Sequence, residues 1–354
     1  MKEIEVAVVK IPVLRRSDAE KHREKLESLI KISGNMKFLK PGDSVLIKIS
    51  ACSPYPYPAN TDPKLLGILI DLVAQKKPSV IYIGDKSLLH KNTRLCFQKT
   101  GVDDEVSQAQ ERHQDIPIRL ITFDDYIYRE RYLPEEHQRH WEFQTHKHFI
   151  CAPKMLFEHD PFLRYEGLPG KVDHIIVFAN IKTSKLSRFS LGMKSYLGFL
   201  DDRSRLILHR VPKKNKFLFS IISRFNKHHL QERIPELFTV ITHPKLVILD
   251  GREIIGSKKP LYAKTAQPPS THHDQPYTGV LIAGTNFLAV EAAGVSLLKS
   301  HKDAPKMIRK DPIWEMPQFK RAAELDLGAR HEDKIYLHAD EDDEIFHKMA
   351  WFLQ

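Results

Sequence analysis

Apolar positions in the first hundred residues recur with two different periods, and their order predicts strands alternating with helices. Residues 3–9 alternate apolar and polar as a strand does. Ser17-Asp-Ala-Glu20 has the spacing of a capping box and opens a helix to about Ile32. Pro41-Gly42 turns the chain into a short apolar strand, Ser44–Ile49, and a loop rich in Pro, Tyr and Asn follows over 51–61. Asp62-Pro63 supplies an N-cap and a first-turn proline to the next helix, whose broad apolar face carries Leu65, Leu66, Leu69, Leu72 and Val73. Strand Val80–Gly84 closes this β-α-β unit and ends in Asp85.

Residues 103–172 are less regular. A strand fits 117–122, and 125–172 reads as an irregular insertion containing the run HQRHWEFQTHKHF. Regularity returns with VDHIIVFAN, a strand ending at Asn180, and with a strand over Lys245–Asp250. A loop rich in Pro, Thr and His over 256–278 precedes strand Val280–Ala283. Gly284-Thr285 then turns into a helix over 286–299; a helix over 317–327, a strand over 334–338 and a last helix with an acidic start complete the chain. The expected fold is α/β: a mostly parallel or mixed sheet with helices on both faces, one domain over 1–354 with the insertion. No internal repeat is present.

Charge changes this picture locally. Residues 171–230 hold thirteen Lys and Arg against three acids, a balance of +10 that equals the net charge of all 354 residues, so the rest is close to neutral. The three cysteines, Cys52, Cys96 and Cys151, form no CxxC or Cys/His knuckle, which argues against an iron–sulfur cluster, a zinc ribbon or a disulfide framework and points to a reducing cytoplasm. No apolar run reaches eighteen residues, so no membrane span is expected. A surface-lying role for the basic, apolar KFLFSIISRF (216–225) is weaker than a buried helix with basic flanks.

Open α/β sheets bind ligands at the carboxyl ends of their strands. Lys48, Asp85, Lys182 and Asp250 all fall there, although one Asp at a strand end is most often an N-cap or turn former and one Lys usually reaches solvent. If 186–198 is helical, Leu186, Phe189, Met193 and Leu197 form an apolar stripe. Ser187, Ser190 and Lys194 then share the next face, where two hydroxyls and an ammonium suit a carboxylate or phosphate. A surface helix with ordinary polar decoration is the competing account.

VLIKIS, NTDP, VIYIGD, ANIKTSKLSRFSLGMKSYLGFL, LVILDG and VLIAGTNFLAVEA resemble, in that order, the motifs of the family known as domain of unknown function 362, from about residue 40 to 340. The resemblance implies that Lys48, Thr61-Asp62, Asp85, Lys182-Thr183, Lys194, Gly198, Asp250-Gly251 and Gly284-Thr285 occupy characteristic positions, with His209 matching a histidine that follows the Lys-Gly segment. It also implies a redox-linked role with a partner protein, since relatives carry or accompany a ferredoxin-like segment. Here Ile49-Ser50 replace Pro-Asn, Ser184 replaces His, Ser195 replaces Asn, and Asn286 and Glu291 stand where two aspartates are usual. Losing an imidazole and a carboxylate while keeping the cations favours retained anion binding over retained chemistry.

The expectation is therefore a small anionic metabolite held at the strand ends. Lys48, Thr61, Asp62, Thr183, Ser187, Ser190 and Asp250 are the ligand-binding candidates. Lys182, Lys194, Asp85 and His209 are the catalytic ones, with Asp85 or Asp250 as base or lysine-orienting group and His209 as proton carrier. No particular cofactor is implied and no metal ligand set is assigned: the pairs His146/His148, His228/His229 and His272/His273 lack i, i+4 helical spacing. The alternatives are a non-catalytic binding or scaffold protein with a degenerate site and, less well supported, a nucleic-acid binder through Lys213, Lys214 and Lys216. Cys52, in the loop after Lys48, is a weaker nucleophile candidate.

Overall fold

A computed structural model describes residues 2–11, 19–89, 91–124, 152–156, 172–184, 186–209, 229–239, 241–255, 277–301 and 304–354. The capping-box serine, the bulk of the 125–172 insertion, the paired histidines other than His229, the 256–276 loop and the basic segment 210–228 lie outside them.

Among the described residues nine strands form a single mixed sheet: β1 Glu3–Lys10, β2 Ser44–Lys48, β3 Val80–Asp85, β4 Ile118–Thr122, β5 His174–Ser184, β6 Arg188–Ser190, β7 Leu246–Ile255, β8 Tyr277–Gly284 and β9 Lys334–Ala339. The order is β4-β3-β2-β5-β7-β8-β1-β9, with β6 paired to β5. The run from β4 to β7 is parallel throughout. β8 is antiparallel to both β7 and β1, and β9 returns parallel to β1.

Burial on both faces explains why the central strands read as near-continuous apolar runs. Val45, Ile47, Ile176, Phe178 and Ile248 face one core with the helices Ala19–Ile32, Pro63–Ala74 and Val102–Arg112. Leu46, Val177, Ala179 and Leu249 face the other with the helices Phe287–Ser300, Pro317–Glu324 and Glu344–Leu353. The helix Val102–Arg112 falls in the stretch read as less regular, and the helix Thr93–Thr100 directly precedes it. They meet at Gly101, whose φ of 77° ends the first helix in the left-handed region that glycine enters freely.

One expectation is corrected. Residues 186–198 are not one helix. β5 continues four residues past Asn180, turns at Leu186–Ser187, and returns as β6 with Lys182 opposite Ser190 and Ser184 opposite Arg188. Arg188 has φ 66°, which a helix does not admit. Only Gly192–Ser195 is α-helical, followed by a tight 3-10 turn, Tyr196–Phe199. The helical spacing of Leu186, Phe189, Met193 and Leu197 arose because hairpin and turn bury these side chains in the same core.

Candidate functional site

Three adjacent parallel strands, β3, β2 and β5, end at one edge of the sheet and bring Asp85, Lys48 and Lys182 to it. The turn carrying Lys194 folds over this edge, and together they enclose a cavity of about 140 Å³. One water needs about 10–15 Å³ by the same measure, so the space suits a small metabolite or inorganic anion. Its walls include Lys48, Cys52, Asp85, Lys86, Lys182, Ser184, Ser190, Lys194, Arg205 and His209.

Asp85 organises the floor. Its Oδ1 accepts from Lys48 Nζ at 2.5 Å and from the Lys86 amide at 2.8 Å, and its Oδ2 accepts from the Ala51 amide at 2.6 Å. Lys48 is 1% exposed and gives a second bond to Ile49 O at 2.9 Å. Burial lowers its pKa, the attraction of Asp85 opposes that, and the charges of Arg205 and Lys182 add to it. The 3-10 turn closes over this pair at Gly198, where a Cβ would collide with both side chains.

Two other cavity cations are spent on structure. Arg205 donates to Leu197 O at 2.7 Å, to Lys86 O at 2.8 Å and to Ser87 O, tying the helix Asp202–Leu208 to the loop after β3. Lys86 pairs with Asp124 and with Asp202.

Lys182 and Lys194 differ. The Lys182 ammonium donates to Ala59 O at 2.9 Å and that of Lys194 to Ser184 Oγ at 3.0 Å. Among the described residues neither meets a carboxylate. Lys194 is partly exposed by area, yet its ammonium is enclosed by the cavity wall. Desolvation, then the charge of Lys182, brings its pKa down to about 8.

His209 Nδ1 lies 2.7 Å from Arg205 O. A carbonyl only accepts, so Nδ1 carries the proton and Nε2 holds a lone pair. Desolvation lowers the His209 pKa to about 4, with Lys194 and Arg205 adding repulsion, so the ring is neutral at pH 7.

The remaining candidates divide. Ser190 lines the cavity. Thr183 is also at its edge, with Oγ1 donating to Ile255 O at 3.3 Å. Ser187 is fully buried, donates to Phe189 O at 2.7 Å within the hairpin turn, and is not on the cavity wall. Thr61 Oγ1 accepts from the Ser50 amide and holds the loop after β2. Asp62 and Asp250 belong to a separate ionic cluster: Arg252 forks onto Asp250, with bonds of 2.7 and 3.0 Å, and reaches Asp62 at 2.8 Å, while Tyr57 donates to Asp250 at 3.3 Å.

Reading the sequence missed Arg205, whose partners are carbonyls that leave no sequence signal. It also missed the position of Glu291, which did have one: a lone acid within the apolar helix Phe287–Ser300. Its Oε2 accepts from the Met193 amide at 2.9 Å, behind the turn bearing Lys194, and desolvation raises its pKa to about 8.

The described residues contain no group of three or more His, Cys, Asp and Glu placed to hold a metal ion, and no helix long and apolar enough to cross a membrane. A family model, Domain of unknown function (DUF362), matches residues 168–296, which makes that stretch DUF362-like. No curated protein matches the chain. A solved structure, the lactate racemase apoprotein from Thermoanaerobacterium thermosaccharolyticum, is similar at 11% identity and a TM-score of 0.37, covering 97% of this chain and 85% of that one. So loose a likeness carries no argument about function.

Proposed function

We propose that this chain, DUF362-like over residues 168–296, is a cytoplasmic protein that binds a small carboxylate or phosphate between Lys182 and Lys194. The observation that carries this reading is the pairing of two ammonium groups on one cavity wall with no carboxylate partner for either among the described residues. Each repels the other in a partly desolvated space, and an anion between them removes that repulsion. The charge of Lys48 at the floor is offset by Asp85, and Ser184 and Ser190 add hydroxyl donors.

A titration of inorganic phosphate and of pyruvate into wild type and into the Lys182→Ala/Lys194→Ala variant tests it. Each charge-assisted hydrogen bond is worth about 1.5–3 kcal/mol, so the double variant loses at least tenfold in affinity for whichever anion binds. A folded double variant with wild-type affinity rules the reading out.

Binding without chemistry is the second reading. What favours it is Asp85, among the described residues the one carboxylate on the cavity wall, which is committed to Lys48 and two backbone amides.

A further inference from the structure

Lys194 differs from the other cavity cations in what surrounds its nitrogen. Lys48 and Lys86 are held by carboxylates and Arg205 by three carbonyls. Lys194 Nζ gives one bond to a hydroxyl, Ser184 Oγ, and shares its cavity with the positive Lys182 and with His209, whose Nε2 has no described partner. Those are the surroundings of a reactive primary amine: among the described residues no carboxylate to hold the proton, a cation beside it, and a neutral imidazole on the same wall.

We infer that Lys194 forms a Schiff base with a small aldehyde or ketone that carries a carboxylate or phosphate, Lys182 holding the anionic end and His209 relaying the proton. This rests on the anion-binding reading and adds the carbonyl to the ligand.

The amine is available without an added base, since a lysine with a pKa of about 8 is roughly one-tenth neutral at pH 7. In the first step the Lys194 lone pair forms a C–N bond, and the carbonyl π pair moves onto oxygen. One proton passes from nitrogen to that oxygen through His209 Nε2, leaving a neutral carbinolamine. In the second, the nitrogen lone pair forms C=N as the C–O bond breaks. The oxygen takes a further proton and leaves as water, and the nitrogen gives one up. Amine plus carbonyl become imine plus water, with no oxidant or reductant. His209 suits the relay because a neutral ring at pH 7 accepts and returns a proton without staying charged beside Lys194 and Arg205.

The test is borohydride reduction of the whole chain with pyruvate, and separately with glyceraldehyde 3-phosphate, read by peptide mass spectrometry. The expected result is one reduced adduct on the peptide bearing Lys194, with the productive probe identifying carboxylate or phosphate as the anionic end. Lys194→Arg keeps the charge and removes the attacking amine. It should lose this adduct while retaining the wild-type circular dichroism spectrum. Lys182→Gln should move formation of the adduct to higher probe concentration. Adducts spread equally over surface lysines, or an adduct of equal yield in Lys194→Arg, overturn the inference. Wild-type protein that binds phosphate or pyruvate but gives no adduct with either probe also overturns it and leaves anion binding standing. An adduct on Lys194 whose formation does not respond to Lys182→Gln or to competing phosphate counts against the anion-binding reading.

Discussion

Gly198 sits against the buried end of Lys48: a Cβ at this position would lie 2.6 Å from the ammonium nitrogen and 2.8 Å from Cε. Neither side chain of the Lys48–Asp85 pair has slack, because Asp85 is also held by two backbone amides. Gly198→Ala should therefore cost about 1–3 kcal/mol through overpacking. Urea unfolding of the two proteins measures this, and equal midpoints would show that the turn gives way freely.

The Lys48–Asp85 pair is buried, and breaking one side leaves the other charge without its partner. Lys48→Met or Asp85→Ala should each destabilise by about 3–5 kcal/mol. The double variant should lose less than the sum of the two, since it strands neither charge. A double-mutant cycle in urea reads the coupling directly; strict additivity would mean that the two side chains act independently.

Stability should depend on pH in a way that Glu291 controls. Its carboxyl titrates near pH 8 in the folded chain against 4.5 when unfolded, so between those values the folded state holds more protons and stability falls as pH rises. His209 acts oppositely between about pH 4 and 6.5, where the unfolded chain holds more protons. Above pH 8 Lys194 takes over. Its folded pKa near 8 lies below the unfolded 10.5, and stability climbs again across that interval. The profile should fall from pH 6.5 to a minimum near 8, and Glu291→Gln should flatten that fall. Unfolding midpoints at several pH values check it, and an unchanged slope in the variant would assign the fall to other groups.

Cys52 is a half-buried thiol on the cavity wall, whereas Cys96 is buried and desolvation raises its thiol pKa. Iodoacetamide should label Cys52 ahead of Cys96 in the native protein, and phosphate should slow labelling at Cys52. Lys182→Ala should remove that protection. Peptide mapping by mass spectrometry follows both sites, and a Cys52 rate indifferent to phosphate would count against a guest beside it.

Much of the sheet was legible because apolar runs such as Val80–Gly84 and Val280–Ala283 are bounded by turn residues and buried on two faces. The strand-end lysines were legible for the same reason: Lys48 ends one run, and Lys182 lies two residues past Asn180. The hairpin at 184–190 was hidden, since its apolar spacing fits a helix equally well and only long-range packing and the positive φ of Arg188 decide between them. Asp250 looked like a site residue from its charge and strand position, and Asp62 from the family resemblance, because the sequence does not show their partner. Arg252, two residues from Asp250, joins it to Asp62, 190 positions away along the chain. Ser187 was likewise assigned outward by a helical wheel that the turn does not follow.

The loop Ala51–Asn60 is fastened by one amide side chain. Asn60 accepts from the Cys52 amide and donates to the carbonyls of Ser53 and Tyr55, while Thr61 locks the far end to Ser50. Ala59 O, the tether of Lys182, sits in that fastened segment. On the anion-binding reading, a guest arriving at the lysines would meet a rim already set in shape, and association would not wait for a flap to freeze. Capture then resembles a key entering a cut lock, with encounter speed governed by charge steering and dilute salt accelerating it.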